Sequence, residues 1–309
     1  VQTTELNQLR NQSNDNLNSG LFFSGNRKLN KKVNFRFSNS FYVFKNNNII
    51  RTYDLNPLTG QYEFLNAGLS NGLERNGLNN IAGLTSDLSI KKLTISPGLQ
   101  WQKLDIINKY ENNLAVKQKY DYILPTLGVR WKSLSFNYRI LVQAPTSTDL
   151  SPVVDNSNPL YQILGNPDLV PTKRHSFNGR FFRYIDKRLI NLDLFSSFNY
   201  STDAIIRERF VTPDGVQITR PVNVDDVFRW YISTSFSKQY KFSNNWKLEI
   251  RPSINYNIGR NFVIVNGVKS ASKTRSGDAS ISFSFNWNDI FEFSQDYMFN
   301  KSHTDYQST

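Results

Sequence analysis

The feature that most constrains the fold is a two-residue alternation of apolar and polar side chains that returns again and again along the chain. Over residues 246–258, Trp246, Leu248, Ile250, Ile254, Tyr256 and Ile258 alternate with Lys247, Glu249, Arg251, Ser253, Asn255 and Asn257. Successive side chains on a strand point to opposite faces, so this period places one apolar and one polar face on an extended chain. The same pattern recurs over 33–43 (Val33, Phe35, Phe37, Phe41, Val43), 93–101 (Leu93, Ile95, Leu99, Trp101) and 134–142 (Leu134, Phe136, Tyr138, Ile140, Val142). It returns over 190–200 (Ile190, Leu192, Leu194, Phe198, Tyr200) and 279–287 (Ala279, Ile281, Phe283, Phe285, Trp287). No capped segment of 3.6-residue spacing competes with it, and the chain reads as strand and loop throughout.

An apolar strand face can rest on a protein core or in lipid. Average composition does not choose: 39% of residues are apolar and the mean hydropathy is −0.50. No run approaches the ~18 apolar residues of a membrane helix, but a membrane strand needs lipophilic side chains only at alternate positions. Connection lengths decide the matter. Short turns are expected near 27–32, 91–92, 132–133, 185–188, 242–245 and 288–289, and long loops near 45–77, 106–118, 144–171, 208–223 and 261–269. Tight turns at one end and long loops at the other are the layout of a membrane barrel, which a soluble sandwich has no reason to keep. Segments such as 189–206, 224–241 and 246–260 also exceed the ~9–11 residues a tilted strand needs to cross the hydrocarbon. Trp131, Tyr184, Tyr240, Phe242, Trp246, Trp287 and Phe291 cluster beside the short turns, where an aromatic girdle would lie; core packing would also collect them.

The expected fold is therefore all-β, an antiparallel up-and-down transmembrane β-barrel, with residues 1–309 forming one barrel segment. About twelve strands are expected: 17–26, 33–44, 78–90, 93–105, 119–131, 134–143, 172–184, 189–207, 224–241, 246–260, 270–287 and 290–300.

Chemistry-bearing residues are sparse. The formal net charge is +12, but the cations recur at turns (Arg27, Lys28, Lys31, Lys32, Lys91, Lys92, Lys132, Lys187, Arg188) without a nucleic-acid-binding motif, so no nucleic-acid partner is expected. There is no cysteine, which removes disulfides, thiolate nucleophiles and thiolate metal sites. His175 next to Ser176 would suggest a nucleophile–base pair, but strand neighbours point to opposite faces; His303 lies in the C-terminal tail. Asp149, Asp155 and Asp168 share the loop 144–171 with Asn156 and Asn158, yet lack a calcium-loop spacing, and Asp225 and Asp226 read equally as turn residues. Phosphate-binding signatures are missing. No catalytic, cofactor-binding or metal-binding residue is assigned. What remains is the polar strand face, where Arg36, Arg139, Asp193, Arg229, Glu249 and Arg251 would line a hydrated lumen.

One stretch is recognisable. YRILVQAPTSTDLSP leads through DNSNPLYQIL into GNPDLVPTKRHSFNGRF. It resembles the TonB-dependent outer-membrane receptors and the Bacteroidetes-type outer-membrane barrel family related to them. Gly165, Asn166, Pro167, Asp168, Leu169 and Pro171 fit the segment where an outer loop re-enters the barrel, and Pro145, Leu150 and Pro152 fit the region upstream. Thr172 and Lys173 stand where that family usually has Glu. Physically the motif is structural: Gly165 and Asn166 tolerate positive φ, while Pro167 and Pro171 fix φ ahead of a strand. The resemblance implies a receptor in the outer membrane of a Gram-negative cell, surrounded by outer-membrane lipid. It also implies roughly twenty-two strands around an N-terminal plug that an inner-membrane energy-coupling protein acts on, with a surface lipoprotein as a further partner. About twelve strands are half that number, no plug is recognisable before residue 17, and the chain ends at Tyr306–Thr309 without an aromatic final strand. An internal part of a larger receptor is thus expected. A non-transport barrel for secretion, assembly or adhesion is the alternative, followed by a secreted soluble β-sandwich binding protein.

Overall fold

The computed structural model describes residues 7–111, 114–151, 155–158, 160–243, 245–288 and 290–308, with the side chains of 155–157 and 308 outside that description. Pro152, the side chains of Asp155 and Asn156, residues 244 and 289 of two expected turns, and Thr309 therefore lie outside the described residues.

The strands are β1 (Gln8–Lys28), β2 (Val33–Leu55), β3 (Tyr62–Leu65), β4 (Asn71–Ile90), β5 (Leu93–Tyr110), β6 (Ala115–Trp131), β7 (Leu134–Gln143), β8 (Asp155–Asn158) and β9 (Tyr161–Ile163). They continue with β10 (Thr172–Ile185), β11 (Ile190–Thr202), β12 (Ala204–Val211), β13 (Gln217–Val224), β14 (Val227–Lys241), β15 (Trp246–Val265), β16 (Val268–Trp287) and β17 (Phe291–Ser308). The only helical element described is a 3-10 turn at Asp186–Arg188, and no described helix is long and apolar enough to cross a membrane. All strands join one sheet. Its backbone is the antiparallel succession β1–β2–β4–β5–β6–β7–β10–β11–β14–β15–β16–β17.

The strand count is seventeen rather than about twelve. The short strands β3, β8, β9, β12 and β13 make the difference; all of them arise in segments expected to be outer loops or strand ends. Nor is the sheet closed: among the described residues no pairing joins β1 to β17. Two short pairings are parallel, β12 with β15 and β13 with β9, because the β12–β13 hairpin folds back alongside neighbouring strands instead of continuing the meander.

Register carries the alternation from strand to strand. Directly opposed residues share a face, and the apolar positions oppose one another: Leu21 and Phe41, Phe37 and Leu84, Leu84 and Leu99. The run continues through Val129 and Phe136, Tyr138 and Phe177, Phe177 and Phe198, Phe198 and Trp230, and Trp230 and Ile258. It ends with Ile250 and Phe283, then Phe285 and Phe293. One continuous apolar face results, and none of the described residues covers it. Ile123 is 74% exposed and Phe299 68%, values that a core-facing position would not have. Polar groups on this face satisfy one another, as a lipid surround requires. The Trp230 indole donates to Ser196 Oγ at 3.0 Å, and the Tyr138 hydroxyl lies 2.9 Å from His175 Nδ1.

The tight turns use residues that accept the left-handed region. Lys91 (φ 54°), Lys132 (φ 51°) and Leu189 (φ 49°) do so at one end of the wall, and Asn266 and Gly267 (φ 49° and 78°) form an Asn-Gly turn at the other. Asn30 Oδ1 accepts from the backbone N–H of Lys32 and Val33 at 2.8 and 3.0 Å, which fixes the first turn.

Several expected loops prove to be strand. β2 runs to Leu55 and β4 begins at Asn71; β5 and β6 extend until only residues 111–114 separate them; 208–223 is largely the β12–β13 hairpin; and 261–269 shrinks to the turn after Val265. Backbone ribbons thus continue past the apolar band, where no lipid rewards alternation. The expected strand 189–207 is instead broken at Asp203 (φ 55°), and 224–241 begins only after Asp226 (φ 67°). These two breaks let the β12–β13 hairpin leave the wall while β11 and β14 pair directly. Tyr184 departs from the expected girdle: it opposes Asn191, on the face of Arg180 and Asp193.

Candidate functional site

The polar face is an ion-paired surface. Asp87 accepts from Arg36 Nη2 at 2.8 Å, Asn34 Nδ2 at 3.3 Å and Ser96 Oγ at 2.7 Å. Arg180 grips Asp193 through two bonds of 3.0 and 2.6 Å. Arg229 Nε donates to Asn257 Oδ1 at 2.8 Å, and Arg251 Nη2 to Glu249 Oε1 at 2.8 Å. The registers place Arg36, Arg139, Asp193, Arg229, Glu249 and Arg251 together on this face. Toward the short turns it encloses a trough of about 730 Å3 whose lining includes Arg36, Asp87, Gln100, Arg130, Arg139 and Asn178. With three guanidinium groups and one carboxylate among these, the trough suits a polar or acidic protein surface.

The other end of the same face is filled. Loop 144–171 folds over the extensions of β4, β5 and β6, and here the buried core of the chain is found. Leu150 is 0% exposed and Leu169 2%, beside buried Ile106, Leu104, Leu124, Pro145 and Pro171. Arg75 holds the loop in place: its guanidinium donates to the Pro145 carbonyl at 3.1 Å and to Asn108 Oδ1 at 3.2 Å. Gln118 Nε2 donates to the Leu169 carbonyl at 3.3 Å, and the Tyr110 hydroxyl to the Ser147 carbonyl at 3.4 Å. These anchors lie beyond the apolar band, which ends near Leu78 and Trp101. Burial pushes the Tyr110 phenol up to about 12, against a weaker opposing pull from Arg75. Burial likewise lowers the Arg75 guanidinium from its ordinary value, with Tyr110 working the other way.

The re-entry motif sits at the middle of this packing. The backbone N–H of Asn166 donates to the Asp149 carbonyl at 2.6 Å, and its side chain donates to the Pro221 carbonyl at 3.1 Å. Asn166 Oδ1 accepts from the N–H of Asp168 at 3.2 Å. Neither Gly165 nor Asn166 has positive φ, so the expected reason for the glycine is corrected: a Cβ there would overlap the backbone of Ser151. Close approach of two chain segments, not turn conformation, requires Gly165. Asn223 then ties the motif to β13, accepting from the Val170 N–H at 3.0 Å and donating to the carbonyls of Val170 and Asp203 at 3.0 and 2.7 Å.

The remaining candidates are placed plainly. His175 is on the apolar face with Tyr138, and Ser176 is buried on the other, accepting from Asn178 Nδ2 at 3.1 Å; the adjacent pair is not brought together. Asp149 accepts from the Thr146 hydroxyl at 2.6 Å within its own turn, Asp225 from the N–H of Asp203 at 2.9 Å, and Asp226 from the Tyr200 hydroxyl at 2.7 Å. Among the described residues no group of three or more His, Cys, Asp or Glu could hold a metal ion. The anchors Arg75, Asn108, Gln118 and Asn223 carried no local sequence signal; only the long-range fold assigns them a role.

A one-sheet wall with an uncovered apolar face and a polar face behind it defines an outer-membrane β-barrel protein. A family model described as the outer membrane protein beta-barrel family matches residues 2–309, and the chain belongs to that family. Its place is the bacterial outer membrane. No curated protein matches the sequence. Among solved structures, the copper transporter OprC is similar at a TM-score of 0.55 and 12% identity, over 94% of this chain and 49% of that one. P. aeruginosa FpvA bound to heterologous pyoverdines matches at 0.49 and 11%, over 96% and 43%. The alcaligin outer membrane receptor FauA from Bordetella pertussis matches at 0.45 and 11%, over 96% and 54%. The chain thus spans about half the length of these structures, and the likeness to OprC is one of fold.

Proposed function

We propose that this chain is part of the wall of a TonB-dependent receptor that admits a solute across the outer membrane. In this reading the seventeen-strand open sheet is a sector of a larger barrel of roughly twenty-two wall strands. The polar trough receives a plug that an inner-membrane energy-coupling protein pulls, and a surface lipoprotein can dock at the loop end. The observation that carries the reading is the unequal filling of the polar face. Its loop end is sealed by the chain's own re-entry loop, while its short-turn end keeps a basic trough of about 730 Å3 that none of the described residues fills. A wall built only to anchor or to adhere has no use for such a surface. The similarity to copper transporter OprC, of which the chain spans 49%, supports a longer protein. The motif Gly165–Pro171 supports the Bacteroidetes-type branch.

The test is genetic. Cells lacking the full-length gene and cells lacking the coupling protein are compared on limiting panels of metal chelates, vitamins, peptides and glycans. The proposal expects one solute on which both strains fail together. Wild-type growth of the gene deletion on every solute, or a defect on a solute that the strain lacking the coupling protein still takes up normally, refutes it.

A further inference from the structure

The apolar face carries a feature that solute passage does not use. Across β15, β16 and β17 it is hollowed into a groove of about 580 Å3. The groove exists because Gly277 and Ala279 put almost no side chain on β16, while Ile254 and Tyr256 on β15 and Phe299 on β17 rise on either side. A methyl at Gly277 would press on the Tyr256 ring at 3.0 Å, so the narrow floor is bounded by an aromatic wall. At the loop end of the groove the residues on the same face become cationic. Arg275 opposes His303, and Lys301 opposes Gly277 one position pair below. Opposed Cβ atoms lie about 5 Å apart, so the Arg275 and Lys301 cations and the His303 imidazole share one patch. The His303 imidazole Nε2 lies 2.8 Å from Asp305 Oδ1. Among the described residues, Arg275 and Lys301 have no ion pair.

We infer that this groove is a binding site for a phosphorylated lipid of the outer leaflet, an acyl chain lying along Gly277 and Ala279 and the phosphate held by Arg275 and Lys301 with His303. Two properties of the site fit that occupant together. Its apolar part lies in the hydrocarbon band, where only an acyl chain or another apolar group can lie. Its basic part lies where the band ends on the long-loop side, at headgroup level, and has charge to spare for an anion. The net charge of +12, which the turns only partly account for, thus acquires one specific use. The inference rests on the family's membrane wall and not on transport.

The experiment uses the full-length protein in detergent with diphosphoryl lipid A as probe, read by native mass spectrometry and by displacement of a fluorescent lipid. Arg275→Ala with Lys301→Ala is expected to weaken lipid A binding roughly thirty-fold. Dephosphorylated lipid is expected to bind weakly to wild type and variant alike. Ala279→Trp, which fills the groove and leaves the cations in place, is expected to lose lipid A equally. Heat-modifiable migration on gels confirms in each case that the barrel has folded. Unchanged affinity in the double variant overturns the proposal, as does displacement of lipid A by inorganic phosphate at similar concentration, which would make the site a plain anion patch. Binding that survives Ala279→Trp overturns it too, because then no chain occupies the groove.

Discussion

The two ends of the polar face are built from the same strands and differ in what completes them. Near the long loops, the face is covered by residues 144–171 and contains Leu150, Leu169, Ile106 and Asn108, all at or below 2% exposure. Near the short turns, the same strands carry ion pairs such as Arg36–Asp87 and Arg180–Asp193 whose arginine side chains are 53% and 55% exposed. The first end is a protein core of ordinary kind, held by burial and by hydrogen bonds to loop carbonyls. The second is an exposed polar surface that none of the described residues covers. For a wall protein, the lesson is that lipid supplies the packing partner of one face, so a conventional core is needed only where the chain must immobilise its own loops.

The largest expected effect comes from breaking the sealed end. Leu169→Ala or Leu150→Ala removes a fully buried side chain and should cost about 2–5 kcal/mol of loop seating. Limited proteolysis of the full-length protein in detergent should then cut within 144–171 while the folded band on an unheated gel persists. Protection equal to wild type would show that the loop is not held by this cluster. The barrel band should survive because the wall strands pair directly with one another and not through the loop.

Next in size is the contrast between the two faces of a single strand. Phe283 faces lipid and Ser282 the polar side. Phe283→Arg should destabilise folding into vesicles by about 2–4 kcal/mol near mid-bilayer, whereas Ser282→Arg should fall within about 0.5 kcal/mol. Urea midpoints in lipid vesicles measure both. The absence of native cysteine permits an independent check: Phe283→Cys should resist a membrane-impermeant maleimide. Reversed ranking of the two arginine variants would mean that the faces are assigned the wrong way round.

Smaller again is the effect of pH on the loop anchor. Burial raises the Tyr110 phenol from about 10 to about 12, so the seated loop favours the neutral phenol. Its contribution is complete below pH 10 and is lost as pH climbs from about 10 to about 12. Proteolysis within 144–171 should accelerate over that window in the wild type and much less in Tyr110→Phe. A window lying below pH 10, or one that is unchanged in the phenylalanine variant, would show that another group controls the loop.

Most of the wall was legible before any coordinates, because lipid and the strand period impose the same rule on every crossing. The turns at Lys91, Lys132 and Asn288 followed from where that rule pauses. Legibility failed where the constraint stops. Past the band, Asn46, Asn47 and Asn48 on β2 pair as strand with Arg75, Glu74 and Leu73, but a polar ribbon wet on both faces has no period to read. The breaks at Asp203 and Asp226 were invisible because Ala204 and Ile206 continue a plausible alternation, and aspartate enters positive φ only in a minority of cases. Tyr184 was misplaced for a simpler reason: a residue beside a turn was assigned by proximity and not by parity. That Arg36, Arg139, Asp193, Arg229, Glu249 and Arg251 share the polar face follows from parity alone. The loop anchors could not, since Arg75 meets Pro145 only through seventy residues of intervening chain.

The smallest expected effect tests the exposed end of the comparison. Arg180 and Asp193 make the best-shaped ion pair on the polar face, two bonds of 3.0 and 2.6 Å, yet the arginine is 55% exposed. Water screens such a pair and holding it costs side-chain entropy, so Arg180→Ala, Asp193→Ala and the double variant should show a coupling below about 1 kcal/mol in urea unfolding. That low value is what a surface meant to exchange partners requires: groups that bind each other weakly are free to bind an incoming protein face. A coupling of several kcal/mol would instead mark the pair as a structural clasp of the wall, and this part of the polar face would lose its claim to be a docking surface.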